Sequence, residues 1–126
     1  MRGRAVRALI VDDHEDMRGL VRMVFELSGD IEVVGEADSA ENGGRRWSEL
    51  RPDVVVVDYR LPEANGLDLA EWILSQDPDA DILLFSAHID EATATRAQQV
   101  GVRELVAKER FRELPALITG LAAADA

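Results

Sequence analysis

The stretch from Pro52 to Gly66, PDVVVVDYRLPEANG, decides how the rest of the chain is read. Four consecutive valines, Val54 to Val57, lead into Asp58. An unbroken run of β-branched side chains suits a strand covered on both faces, as in a parallel sheet packed between helices. Asp58 then stands at the C-terminal edge of that strand, the edge at which open α/β sheets bind their ligands. An isolated Asp there would be an ordinary turn initiator. Its meaning therefore depends on what other strands bring to the same edge.

On the N-terminal side, Ala5 to Val11 is a short apolar run that ends in Asp12 and Asp13 and predicts a first strand. From Asp16 to Ser28 the apolar residues Met17, Leu20, Val21, Val24 and Leu27 follow the spacing of an amphipathic helix, stopped by Gly29. Ile31 to Ala37 predicts a second strand. Ser39 can cap a helix whose inner face would be Ala40, Gly43 or Gly44, Trp47 and Leu50, ended by Pro52. Its paired glycines make it the least secure helix, at roughly 1 kcal/mol each relative to Ala.

On the C-terminal side, a loop with Pro62 and Asn65-Gly66 leads to a helix from about Leu67 to Ser75, broken at Asp77-Pro78. Ile82 to Phe85 predicts a fourth strand ending on Ser86, and Glu104 to Ala107 a fifth ending on Lys108. Glu91 to Val100, between them, is helical in propensity but has almost no apolar stripe, which marks it as a candidate mobile element. Leu114, Leu117, Ile118 and Leu121 give the last helix a clear one.

Five strands alternating with helices predict a doubly wound α/β domain of the flavodoxin-like kind, a parallel sheet with right-handed crossovers. Its common strand order is 2-1-3-4-5. That order makes strands one, three, four and five neighbours, so Asp12-Asp13, Asp58, Ser86 and Lys108 converge on one edge. Each alone is ordinary: an acid caps a helix, a serine makes a turn, a lysine faces solvent. Together they describe a site.

Composition narrows the chemistry. The 126 residues fit one domain, 1–126, with one real core and no repeat or compositional break. There is no cysteine, so thiolate metal sites and disulfides are excluded, and no 18-residue apolar run argues for a membrane span. The basic start MRGRAVR leads into a run too short for a signal-peptide core, which makes the cytoplasm the expected location. A formal charge of −11 opposes direct nucleic-acid binding; any DNA work would need another domain or partner. Thirteen arginines stand against one lysine, Lys108, and a compact ammonium suits close contact with a phosphate or carboxylate.

Three carboxylates on one edge repel, and a hard divalent cation is the simplest remedy. Mg²⁺ fits, because it takes few carboxylates, keeps waters and accepts a phosphate oxygen. With Lys108 and Ser86 opposite, Asp58 becomes a candidate nucleophile toward phosphorus.

The set IVDD (10–13), VVVDYRLPEANG (55–66), LFSA (84–87) and LVAK (105–108) resembles the receiver domain of bacterial two-component response regulators over nearly the whole chain. The resemblance implies that Asp58 is the phosphoacceptor, Asp13 a direct Mg²⁺ ligand, Asp12 a ligand through water, and the Arg60 backbone carbonyl a further ligand. It implies that Ser86 and Lys108 hold phosphoryl oxygens. It implies a histidine kinase or phosphotransfer protein as donor, and an output protein or domain, or a homodimer, as the receiver of the signal. The fourth helix, fifth strand and fifth helix would form that face. The stretch DIEVVGEADSAENG (30–43) is similar to the nitrate/nitrogen-regulator class, whose usual helix-turn-helix domain is not found among these residues.

Departures from the family pattern are specific. Leu105 stands where an aromatic switch residue is usual, and Glu109 where proline usually follows the lysine, so a trans bond is expected after Lys108. Arg60 and His88 occupy the positions that flank the path of the hydrolytic water in the family. His14, without a second nitrogen or sulfur ligand in sight, reads as a solvated loop residue. Other classes fit less well. A flavin-type cofactor binder needs a phosphate-binding loop where DDHED stands. A haloacid-dehalogenase-type hydrolase carries its nucleophile on the first strand. A partner-binding module with weak or lost phosphorylation remains the alternative, raised by Leu105 and Glu109.

Overall fold

The computed structural model describes residues 4–125; the first three residues of the basic start, and Ala126, lie outside the described residues. Five strands form one parallel sheet: β1 (Val6–Val11), β2 (Ile31–Ala37), β3 (Val54–Asp58), β4 (Asp81–Ser86) and β5 (Glu104–Ala107). Their order is β2-β1-β3-β4-β5, as the alternation predicts. The helices are α1 (Glu15–Ser28), α2 (Ala40–Leu50), α3 (Gly66–Gln76), α4 (Glu91–Val100) and α5 (Leu114–Asp125), with a 3₁₀ turn at Lys108–Glu113 before α5. Described peptide bonds are all trans, including the one after Lys108.

The valine run explains itself once the two layers are separated. Val55 and Val57 pack with Leu9, Val11, Trp47, Leu69, Ile73 and Ala97, the layer under α2, α3 and α4. Val54 and Val56 pack with Ala8, Ile10, Val21, Phe25, Leu114 and Ile118, the layer under α1 and α5. Side chains alternate across a sheet with period two, so each layer needs every second valine and no polar residue is tolerated between them.

The helix α1 corrects one expectation. Val21 and Phe25 are its buried residues, whereas Leu20 is 38% and Leu27 78% exposed. Phe25 lies one turn after Val21, and the space between β1, α5 and the sheet accepts the larger ring; this rotates Leu20 and Leu27 to the outer edge of the stripe. The helix α2 forms despite its glycines. Ser39 Oγ accepts from the Asn42 N–H at 3.1 Å, and Gly43 sits where a Cβ would come within 2.9 Å of Leu69 and 3.1 Å of Val11. Close approach to α3 and the sheet offsets its low propensity. The weak stripe of α4 is as expected, with Thr93 and Ala97 its buried residues.

The loop after β3 holds structure that periodicity does not reveal. Arg60–Leu61 and Ala64–Asn65 pair as a two-residue antiparallel ribbon, with Glu63 at φ 63 turning the chain. Leu61 is buried there. The ribbon returns the backbone so that the Gly66 N–H reaches the Tyr59 carbonyl at 2.6 Å, and α3 starts directly behind β3.

Candidate functional site

The C-terminal ends of β1, β3 and β5 bring Asp12, Asp58 and Lys108 together. Lys108 Nζ lies 3.1 Å from Asp12 Oδ2 and 3.0 Å from Asp58 Oδ2. Both aspartates are 2% exposed. Strand parity accounts for the meeting: Ile10, Val56 and Val106 face the α1/α5 layer, and two residues on from each stand Asp12, Asp58 and Lys108. The Lys108 ammonium also lies over the Phe85 ring, with Nζ 5.8 Å from its centroid.

Ser86 follows the opposite parity, two residues after Leu84 of the other layer. Its hydroxyl donates to the His88 carbonyl at 2.7 Å and accepts from the His88 N–H at 3.2 Å. It is buried at the same edge but turned into its own loop, not toward Lys108. Arg60 and His88 are exposed. The Arg60 N–H donates to Asp58 Oδ1 at 3.2 Å. Leu105 is half-buried and packs against the α2/α3/α4 layer with Tyr59 and Val102.

The acidic loop after β1 is held by its backbone. The Asp12 N–H donates to the Ala37 carbonyl at 3.0 Å, and Asp12 Oδ1 accepts from the His14 N–H at 2.8 Å. Arg18 donates from its guanidinium to the Asp12 carbonyl at 2.5 Å and to Glu36 at 3.2 Å. Glu36 also pairs with Arg22, whose pKa is raised by that hydrogen bond and charge. Arg18 thus ties α1, β2 and the acidic loop together, a role its sequence position signals only faintly: side chains in the first turn of a helix reach back toward its N-terminus. Gly66 is the other residue missed. A Cβ there would stand 2.3 Å from the Asp58 carbonyl oxygen.

His14 is the exposed loop residue expected of it, and it also faces the acids. Its side chain is 65% exposed, yet Nδ1 lies 3.3 Å from Asp12 Oδ1 and 3.2 Å from Asp13 Oδ1.

Three carboxylates against one ammonium leave this edge with excess negative charge. Burial, helped by the neighbouring Asp12 charge and opposed by Lys108 and the Arg60 N–H, pushes Asp58 up from 3.8 to about 6. Burial alone would lower Lys108, but hydrogen bonding and charge from Asp58 and Asp12 outweigh it and raise its pKa. Asp12 Oδ2 and Asp58 Oδ2 are fully buried and share one close partner, the Lys108 ammonium at 3.1 and 3.0 Å. One ammonium shared between two buried carboxylates leaves acceptor capacity and negative charge that fit a further cation. Donor atoms of Asp12, Asp13, His14 and Asp58 lie within 4.8 Å of one another. The oxygen-rich set suits a hard ion such as Mg²⁺. A groove of about 480 Å³ between α2 and α3, lined in part by Gly44, Leu69 and Trp72, lies away from this chemistry.

Comparison with known proteins agrees on one family. The model described as response regulator receiver domain matches residues 8–119. The response regulator GacA of Pseudomonas viridiflava is 35% identical over 104 residues, 82% of this chain and 48% of that protein. The chemotaxis protein CheY of Thermotoga maritima is 35% identical over 102 residues, covering 81% of this chain and 84% of that one. Among solved structures, the signal receiver domain of NarL from Mycobacterium tuberculosis superposes with a TM-score of 0.90 at 32% identity, covering 96% of this chain and 98% of that one. The chain therefore spans about half the length of GacA but most of CheY. No described helix is long and apolar enough to cross a membrane.

Proposed function

The chain belongs to the response regulator receiver domain family, and from that premise we propose that Asp58 accepts a phosphoryl group from the phosphohistidine of a histidine kinase or phosphotransfer protein. The observation that carries this reading is the placement of one ammonium at 3.0 and 3.1 Å from two buried carboxylates at the sheet edge. A carboxylate oxygen of Asp58 attacks phosphorus, the P–O bond forms as the P–N bond to the donor imidazole breaks, and the proton balance closes on the departing imidazole. Lys108 is then placed to pair with a phosphoryl oxygen instead of the bare Asp58 carboxylate. Ser86 can release its hydroxyl from the His88 carbonyl and donate to a second oxygen. Asp12, Asp13, Asp58 and the Arg60 carbonyl would hold Mg²⁺, which supplies positive charge to the transferring phosphoryl oxygens.

On this reading the chemistry is confined to gaining and losing phosphate at Asp58, so the chain is a switch rather than an enzyme acting on an external substrate. Residues 1–126 act as one cytoplasmic receiver domain. The signal leaves through α4, β5 and α5, to an output domain or protein or to a second copy. The thin packing of α4, with Thr93 and Ala97 inward, supports a surface that shifts at low cost. The net charge of −11 supports leaving DNA contact to another domain.

A small phosphodonor, acetyl phosphate or phosphoramidate, with Mg²⁺ tests the assignment by intact mass. One phosphoryl group should be added to the parent chain and none to Asp58→Asn. Full labelling of the variant would place the acceptor elsewhere.

A further inference from the structure

His14 stands inside the acidic cluster without a structural task that needs its ring. It is the N-cap residue of α1, yet its side chain makes no capping hydrogen bond. One side of the imidazole faces solvent, and Nδ1 faces the carboxylates: 3.2 Å from Asp13 Oδ1, 3.3 Å from Asp12 Oδ1 and 4.0 Å from Asp58 Oδ2. A six-coordinate cation about 2.1 Å from every donor would hold neighbouring donors about 3 Å apart and opposite donors about 4.2 Å apart, whereas a tetrahedral one would hold all of them about 3.4 Å apart. The Nδ1 distances to Asp12 and Asp13 fit either arrangement, and the distance to Asp58 fits an opposite position in the six-coordinate one, which zinc and cobalt also adopt. The widest spacing within the four-residue set is no more than 4.8 Å, so the donors need to move inward by only a few tenths of an ångström. Independently, the Oδ2 atoms of Asp12 and Asp58 are buried at the same sheet edge with a single ammonium, Lys108 Nζ at 3.1 and 3.0 Å, shared between the two.

We propose that His14 Nδ1 is a cation ligand, so that this edge is a mixed nitrogen and oxygen centre able to hold a borderline divalent ion of the zinc or cobalt class more tightly than Mg²⁺. The proposal rests on the reading of the cluster as a cation site. A neutral imidazole adds little for Mg²⁺, which prefers oxygen donors and keeps its waters. It adds much for later first-row ions, for which imidazole is a favoured ligand. His14 thus decides which cation the site selects, whereas the carboxylates decide that a cation binds at all. The competing account is that Nδ1–H merely donates to Asp12 and Asp13, a role a glutamine amide can imitate.

The test uses the tag-free chain, titrated calorimetrically with magnesium chloride and, separately, zinc chloride. The parent should bind Zn²⁺ more tightly than Mg²⁺. His14→Ala and His14→Gln should each lose about tenfold or more in Zn²⁺ affinity and stay within about twofold for Mg²⁺. In ¹⁵N-histidine-labelled protein, the Nδ1 resonance of His14 should move on adding one equivalent of Zn²⁺. The chain has two histidines, so His88→Ala assigns the signal. Unchanged Zn²⁺ affinity in both variants, equal losses for both cations, or an unmoved Nδ1 resonance would each overturn the proposal while leaving the reading of the cluster as a cation site in place. Failure of the folded parent chain to bind either cation would overturn the cation-site reading and the role of His14 together.

Discussion

In metal-free buffer at pH 8, replacing the central carboxylate by its neutral isostere should stabilise the protein. Asp58 is pushed from 3.8 to about 6 by burial and by Asp12, against the attraction of Lys108. A carboxyl group with a raised native pKa is easier to ionise in the unfolded chain. Its contribution is therefore zero well below pH 3.8 and becomes increasingly unfavourable as pH rises to about 6, with little change above that. The full difference of about 2 pKa units is worth about 3 kcal/mol, or roughly 10 °C in Tm for a domain of this size. By the same linkage about half of it remains at pH 5 and only a small part at pH 4. Asn imitates the protonated acid, so Asp58→Asn should melt higher than the parent in EDTA at pH 8, and the gap should close on acidification. The assay is thermal unfolding by circular dichroism from pH 4 to 8. Saturating Mg²⁺ should narrow the gap at pH 8, because only the parent keeps the third carboxylate. A gap independent of pH, or a parent more stable than the variant at pH 8 without metal, would show that Lys108 outweighs burial and that the site is not electrostatically strained.

Three further outcomes follow from the same geometry. Mg²⁺ should raise the Tm of the parent, and Asp13→Ala should remove most of that gain; an unchanged gain would move the ion away from this edge. Gly66→Ala should cost about 3 kcal/mol in denaturant unfolding, because its Cβ meets the Asp58 backbone carbonyl at 2.3 Å and a backbone atom in a buried strand gives little. Arg60→Ala and His88→Ala should each speed phosphate loss from the purified phosphoprotein in excess Mg²⁺, by about tenfold at most for a barrier lowered by roughly 1.4 kcal/mol. Release as slow as in the parent would mean that these exposed side chains do not shield the path of water.

Much of this molecule is legible in local sequence, because period and order are properties of the chain itself. Four valines in a row need two covered faces, and five strands alternating with helices need parallel crossovers; together they bring Asp12, Asp58 and Lys108 to one edge before any coordinate is known. The two layers of the structure then separate Lys108, on the side of the two aspartates, from Ser86, on the other. Tertiary packing decided the rest. Leu20 and Phe25 are both apolar and close on α1, and only the shape of the space between α5 and the sheet selects the ring and leaves Leu20 and Leu27 outside. The two-residue ribbon after Asp58 is too short to show a period, and Gly66 is required only because the returning chain passes against the Asp58 carbonyl. Along the sequence His14 reads as a solvated loop residue and nothing singles out Arg18. They become part of the site because the turn after β1 folds the Asp12 carbonyl onto one and the carboxylates onto the other, through contacts that no spacing rule contains.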